Sequence, residues 1–160
     1  MRSIPPDFQE LFDDYTRGPS RLRAAINGLN ASGLNQREPG SDWTIRDIVI
    51  HLGDAESVLG VRIRRMLAED NPVIAAFDEE PWKRRLQYLW RDIDGALALF
   101  QSNRFATAEI LSYAGKDAWQ RTGQHSEDGT ITVHELIRRA AAHVDDHVMQ
   151  IERARSFVSR

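Results

Sequence analysis

The chain has 160 residues, of which 41% are hydrophobic and 28% are charged, a composition typical of a globular protein that buries its own core. Its net charge of −3 argues against a general nucleic-acid binder, and no apolar run is long enough to span a bilayer. Because the chain has no cysteine, disulfides and thiolate ligands are excluded, and a bound metal would need His, Asp or Glu.

The first predicted helix begins at the Pro-Pro-Asp sequence of residues 5–7 and carries apolar residues at helical spacing. The Gly-Pro-Ser sequence of residues 18–20 then interrupts the pattern. Either one helix ends there and another begins with Pro19 in its first turn, or a single helix is kinked. The apolar stripe continues to about Asn30.

The second predicted helix begins at Thr44, an N-cap residue whose partner in a capping box is Asp47. Its pattern ends near Glu69, and its apolar face includes His51. We therefore expect this imidazole to point into the core. A run of basic residues in the same helix is expected to form a solvated face: Arg62, Arg64 and Arg65.

Residues 70–91 show no sustained period, and a connection of this length is typical of a lid or a crossover. The third predicted helix begins around residues 92–94, and Arg104 lies on its apolar stripe. A buried guanidinium needs a carboxylate or carbonyl partner. Arg104 is therefore either part of a structural ion pair, which we favour, or a pocket residue that contacts substrate.

The last predicted helix spans residues 132–155 and begins with a capping box at Thr132. The connection before it, residues 115–131, contains His125. No pair of strands alternates convincingly, so the pattern predicts an all-α protein. We expect four main helices in a single domain over residues 1–160.

Two histidines of the last helix, His143 and His147, are four residues apart and therefore share one face. This face is the apolar stripe of the helix, and His51 lies on the matching stripe of the second helix. Buried imidazoles without a partner are costly, and a metal ion would satisfy all three. Three histidines with an open position form a catalytic arrangement for zinc, and imidazole also suits nickel. The alternative is that each histidine is hydrogen-bonded to a neighbour in the core.

Three other residues are candidates for the surroundings of such a site. Asp54 and Asp146 each lie three residues after a histidine, His51 and His143 respectively. Each carboxylate either orients an imidazole or is a solvated charge. His125 either reaches over the metal from its loop or faces solvent.

Two segments of the chain resemble a family signature. Residues 43–56 read WTIRDIVIHLGDAE, and residues 125–151 read HSEDGTITVHELIRRAAAHVDDHVMQI. They resemble the W-S/T-I-R-x-x-x-x-H-L-x-D-x-E and H-x-x-x-G…H-x-x-x-H-x-x-Q-I motifs of the DinB-like (YfiT-like) superfamily. The resemblance implies a four-helix bundle with up-down-down-up connectivity, in which residues 70–91 form the long crossover.

The resemblance also implies a divalent metal ion, zinc or nickel, bound by His51, His143 and His147. Characterised members of this superfamily include hydrolase-like enzymes and thiol S-transferases or isomerases that use mycothiol, bacillithiol or glutathione. We therefore expect a metal-dependent thiol S-transferase or hydrolase that acts on a small molecule, and a homodimer. The alternative is a non-catalytic dimeric bundle with a binding or regulatory role. The acidic N-terminal segment lacks the apolar core of a signal peptide, so we expect a cytoplasmic protein without nucleic-acid or membrane partners.

Overall fold

Four long helices dominate the fold, which is known from a computed structural model that describes residues 3–157. Short helices and three strands fill the connections between them. In chain order, the elements are α1 (Gln9–Ile26), α2 (Ala31–Leu34), α3 (Ile45–Ala68), β1 (Val73–Ile74), α4 (Glu79–Arg85), α5 (Ile93–Tyr113), α6 (Lys116–Trp119), β2 (Thr122–His125), β3 (Gly129–Thr132) and α7 (Val133–Arg155), with 3₁₀ turns at Pro6–Phe8 and Tyr88–Trp90.

The helix boundaries follow the capping signals in the sequence. Thr44 and Asp47 form the predicted capping box, with hydrogen bonds of 3.1 and 3.0 Å to each other's backbone N–H groups. The Thr132 hydroxyl caps α7 by accepting from the backbone N–H of Glu135 at 3.1 Å. The interruption at Pro19 does not end the first helix, because α1 is a single helix that contains this residue.

Contacts between helices establish their directions. Arg21 of α1 forms an ion pair with Asp145 of α7 at 2.6 Å, and Arg155, later in α7, donates to the carbonyl of Ala25, later in α1. Both helices therefore advance in the same direction. The Arg23 side chain of α1 donates to Gln101 of α5 at 3.0 Å, and Arg104 of α5 donates to the Tyr15 carbonyl of α1 at 3.2 Å. Residue numbers thus rise along α5 as they fall along α1, so these two helices are antiparallel.

The second and third long helices, α3 and α5, are neighbours that run parallel to each other. Gly53 of α3 packs against Ala96 of α5 so closely that a Cβ atom at residue 53 would lie 3.0 Å from the Ala96 carbonyl oxygen. Further along both helices, Asn103 of α5 donates to Ser57 of α3 at 2.8 Å. The absence of a side chain at Gly53 permits this close approach. Together the four directions give the predicted up-down-down-up bundle, which is confirmed. None of the helices in residues 3–157 has the length and apolar composition needed to cross a membrane.

A long crossover is a geometric requirement of this topology. Because α3 and α5 are parallel, the chain must return along the bundle over about 36 Å, the length of a 24-residue helix. Residues 69–92 make this return through β1, α4 and the 3₁₀ turn Tyr88–Trp90. Asp54 on α3 fixes the end of the crossover, since its carboxylate binds Arg91 at 2.6 and 3.1 Å.

A three-stranded sheet, which the sequence did not predict, lies at one end of the bundle. Strands β2 and β3 form an antiparallel hairpin, and β1 of the crossover pairs with β2 in parallel through the Val73–Gln124 and Ile74–His125 positions. The hairpin turn ends at Gly129, whose φ of 75° favours glycine. The strands have four residues or fewer, too short for an alternating pattern to stand out.

A buried polar layer separates two apolar clusters along the bundle axis. In this layer Arg104, which is 1% exposed, donates to Glu56 at 2.7 and 3.1 Å and to the Ala140 carbonyl at 3.2 Å. The hydroxyl of Tyr15 donates to the other oxygen of Glu56. The favoured interpretation of Arg104 as part of a structural ion pair is therefore correct.

Candidate metal centre

Three histidines converge where α3 and α7 face each other. His51 lies about two turns inside α3, and His143 and His147 lie one turn apart on α7. The Nε2 atom of His143 is 3.2 Å from Nε2 of His51 and 3.0 Å from Nε2 of His147. The possible ligand atoms of the three side chains all lie within 4.8 Å of one another.

Burial keeps these imidazoles neutral at physiological pH. Desolvation, followed by the nearby His143 and His147, lowers the pKa of His51 to about 3. Desolvation, His147 and Arg104 lower the pKa of His143 to about 4. The pKa of His147 is also lowered, mainly by burial. Neutral imidazole is the form that binds a metal ion.

The arrangement of nitrogens fits a metal ion better than it fits hydrogen bonds alone. The Nε2 atom of His143 faces two other Nε2 atoms but has either one proton or one lone pair, so it cannot form a full hydrogen bond to both. A cation removes this conflict because it accepts every lone pair. Tetrahedral zinc, with bonds of about 2.0–2.1 Å, holds nitrogen ligands roughly 3.3–3.4 Å apart. The separations of 3.2 and 3.0 Å from the His143 nitrogen to the other two are close to this value.

The residues around the histidines fix their orientations. The Nδ1–H of His147 donates to Oε1 of Gln150 at 3.0 Å, which leaves its Nε2 lone pair directed at the other two imidazoles. The ring of Phe77 is stacked on His51 with centroids 5.9 Å apart, and Trp43 meets the same imidazole edge-on at 5.2 Å. The Nδ1 atom of His51 is buried and has no hydrogen-bond partner among residues 3–157.

The two predicted carboxylate partners do not orient the histidines. Asp54 binds Arg91 with both oxygens, so the alternative that it orients His51 is wrong. Asp146 is an exposed residue whose charge only partly opposes the lowering of the His147 pKa by burial. The Nδ1 atom of His147 has Gln150 as its partner instead.

A cavity of about 170 Å³ opens beside His143, and Arg104 and His125, the two candidate pocket residues, are among the residues that line it. His125 lies at the end of β2, and its Nδ1 atom accepts from the backbone N–H groups of Glu127 and Asp128 at 3.4 and 3.3 Å. The Nε2 atom of His125 therefore carries the proton.

Gln150, Phe77 and Arg62 were given no role at the site from the sequence, although Gln150 is the glutamine of the second family motif. A glutamine three residues after His147 is a recognisable signal, because residues i and i+3 are neighbours on a helix. Phe77 and Arg62 could not have been assigned in this way. Arg62 was expected on a solvated face, but the crossover covers it and leaves it half-buried.

Comparison with known proteins identifies relatives over most of the chain. Residues 14–151 match the family described as the DinB superfamily. The "Putative metal-dependent hydrolase" of Halalkalibacterium halodurans is 26% identical over 92% of this chain and 86% of its own length. The "Putative metal-dependent hydrolase YfiT" of Bacillus subtilis is 25% identical over 83% of this chain and 75% of its own.

Two solved structures share the fold. YfiT from Bacillus subtilis, described as "a probable metal-dependent hydrolase with an unusual four-helix bundle topology", superposes with a TM-score of 0.90 at 22% identity, covering 99% of this chain and 92% of its own. The mycothiol-dependent maleylpyruvate isomerase superposes with a TM-score of 0.70 at 14% identity, covering 92% of this chain and 61% of its own. At these identities the comparison establishes the helical architecture.

Proposed function

Because this chain belongs to the DinB superfamily, we propose that it is a metal-dependent enzyme that acts on a small molecule. His51, His143 and His147 hold a divalent metal ion, zinc or nickel, and the reaction is hydrolysis or the transfer of a thiol. The observation that carries the proposal is the convergence of three neutral Nε2 atoms from two helices, with separations of 3.0 and 3.2 Å, beside a cavity.

The chemistry of the donor set supports this assignment. Three imidazoles leave a coordination position for a further ligand, which is the arrangement of catalytic rather than structural zinc sites. When bound, a divalent ion supplies Lewis acidity that makes water or a thiol nucleophilic at neutral pH. The names of the relatives, metal-dependent hydrolases, favour water, whereas the name of the mycothiol-dependent isomerase favours a thiol.

The protein's own residues position the substrate and exclude solvent. Phe77 and Trp43 cover His51 on two sides, so the imidazole is only 2% exposed. The cavity beside His143 gives the substrate its access to the site, and the Nε2–H of His125 is available there as a hydrogen-bond donor. The Glu56–Arg104 pair joins α3, α5 and α7 one to two turns from the histidines and keeps them in register.

Metal analysis tests the binding half of the proposal. Protein purified without a nickel column is expected to contain about one zinc or nickel ion per chain, and alanine at His51, His143 or His147 should remove it. His134→Ala is the matched control, because His134 also lies on α7 but packs against Phe8, away from the site. A folded, metal-free wild type that cannot be loaded with zinc or nickel would refute metal binding.

Turnover assays test the catalytic half. Consumption of mycothiol, bacillithiol or glutathione with an electrophile reports thiol transfer, and release of product from ester and amide substrates reports hydrolysis. We expect one of these activities in the metal-loaded wild type and in His134→Ala, and its loss in His147→Ala. Metal-loaded protein that is inactive in both panels would favour the non-catalytic alternative.

A further inference from the structure

A second and larger depression adjoins the cavity of the metal centre. This groove, of about 570 Å³, lies between α3 and the crossover. Its walls are mainly apolar, with Val58, Val61, Ile74, Pro81 and Trp82 among them. Val58, Phe77 and Arg62 line both the groove and the cavity beside His143, so the two spaces meet at these residues.

Arg62 places a cation at this junction. One of its N–H groups donates to the Ala75 carbonyl at 2.5 Å, and a guanidinium has five N–H groups in all. No carboxylate forms a salt bridge with Arg62 in residues 3–157. Burial lowers the pKa of Arg62, an effect that the charge of Asp128 only partly opposes.

The other arginines of the groove and cavity have carboxylate partners, and Asp78 in the groove wall caps a helix. Asp128 binds Arg139 at 2.5 Å, and Arg65 binds Glu69 at 2.8 Å. Asp78 lines the groove as the N-cap of α4, where its carboxylate accepts from the backbone N–H of Glu80. A half-buried guanidinium with free donors is therefore the feature that distinguishes this junction.

We propose that the groove binds the apolar body of a small organic anion and that Arg62 binds its carboxylate, sulfonate or phosphate group. Pockets for small molecules are mostly apolar with a few polar groups that fix orientation, and a guanidinium matches the oxygens of these anions. The anion would thus be held where the groove opens toward His143. Its identification as the substrate of the enzyme rests on the proposed function, but its binding does not require a metal ion.

Calorimetric titration with 4-phenylbutyrate and with its uncharged counterpart 4-phenylbutanol tests this proposal. The two probes share an apolar body and differ in the anionic group. We expect the wild type to bind the acid about tenfold more tightly than the alcohol, because a charge-assisted pair with Arg62 forms only with the acid. Equal affinity for the two probes would overturn the role of Arg62. A third probe, 4-phenylbutyl phosphate, determines which anion the junction prefers.

Two pairs of variants locate the binding site. Arg62→Met should lose the tenfold preference for the acid, whereas Arg64→Met should keep it, because Arg64 is on the same helix but lines neither space. The exposed Val61 provides a second pair that does not threaten folding. Val61→Glu should weaken binding of the acid more than that of the alcohol, and Val61→Gln should affect both equally. An Arg62→Met protein that behaves like Arg64→Met, or a Val61→Glu protein that behaves like Val61→Gln, would refute the site.

The same titrations separate this proposal from the proposed function. They are run on metal-loaded protein and on protein stripped with a chelator. Selective binding of the acid to both forms supports the anion site even if no turnover is found. Turnover with no preference for the acid overturns the anion site and leaves the enzyme proposal intact.

Discussion

Replacing Glu56 with glutamine should destabilise the protein strongly, because it removes the only carboxylate paired with Arg104 among the described residues. Glu56 is 3% exposed and Arg104 1%, and the carboxylate accepts two hydrogen bonds from the guanidinium and one from Tyr15. Glutamine has nearly the same shape but leaves a buried positive charge without its counterion. Breaking a buried ion pair in this way costs about 3–5 kcal/mol.

This loss converts to a measurable change in melting temperature. The shift in melting temperature is the loss of unfolding free energy divided by the unfolding entropy, which is about 2.1 cal/mol/K per residue. For a chain of 160 residues, Glu56→Gln should therefore melt about 9–15 °C below the wild type. The assay is thermal and urea denaturation followed by circular dichroism. It should use metal-stripped protein, because a bound metal would add its own stabilisation.

Two further variants separate the charge effect from packing. Glu69→Gln removes the exposed partner of Arg65 and should change the melting temperature little, because solvent screens an exposed ion pair. Combining Glu56→Gln with Arg104→Met removes the buried charge and should recover stability relative to Glu56→Gln alone. A Glu56→Gln protein as stable as Glu69→Gln, or a double variant less stable than the single one, would refute this account of the polar layer.

Three other predictions concern the histidines and the crossover. Gln150→Leu should lower zinc affinity about 10–100-fold in a chelator competition, because His147 loses the acceptor that orients it; unchanged affinity would contradict this role. Metal-stripped protein should lose stability as the pH falls below about 6.5, the ordinary pKa of histidine. The pKa of His51 in the folded protein is about 3, so between these values His51 is protonated in the unfolded chain but not in the folded one, and unfolding is favoured. Urea denaturation between pH 7 and pH 5 checks this, with His51→Gln expected to show a smaller loss. Asp54→Asn should release Arg91 and expose residues 69–92 to limited proteolysis with little change in helicity; resistance equal to that of the wild type would count against the anchor.

The sequence by itself determined the helices and the faces that they bury. The capping residues Thr44 and Thr132 accept from backbone groups three residues away, and the helical period depends on neighbours within two turns. These interactions are local, so they can be recognised without knowing the fold. The same period turned His51 and the pair on α7 inward.

Only the tertiary structure decided which of these residues meet. His51 and His143 are 92 positions apart, and β1 reaches β2 across about fifty residues, so neither contact has a local signal. Asp54 could have faced His51, but the crossover brings Arg91 to it instead. The same segment covers Arg62, which by its sequence belonged to a solvated face. The partners of Asp54 and Arg62 depend on the path that the crossover takes between two parallel helices. Long-range packing sets this path, and no local sequence pattern does.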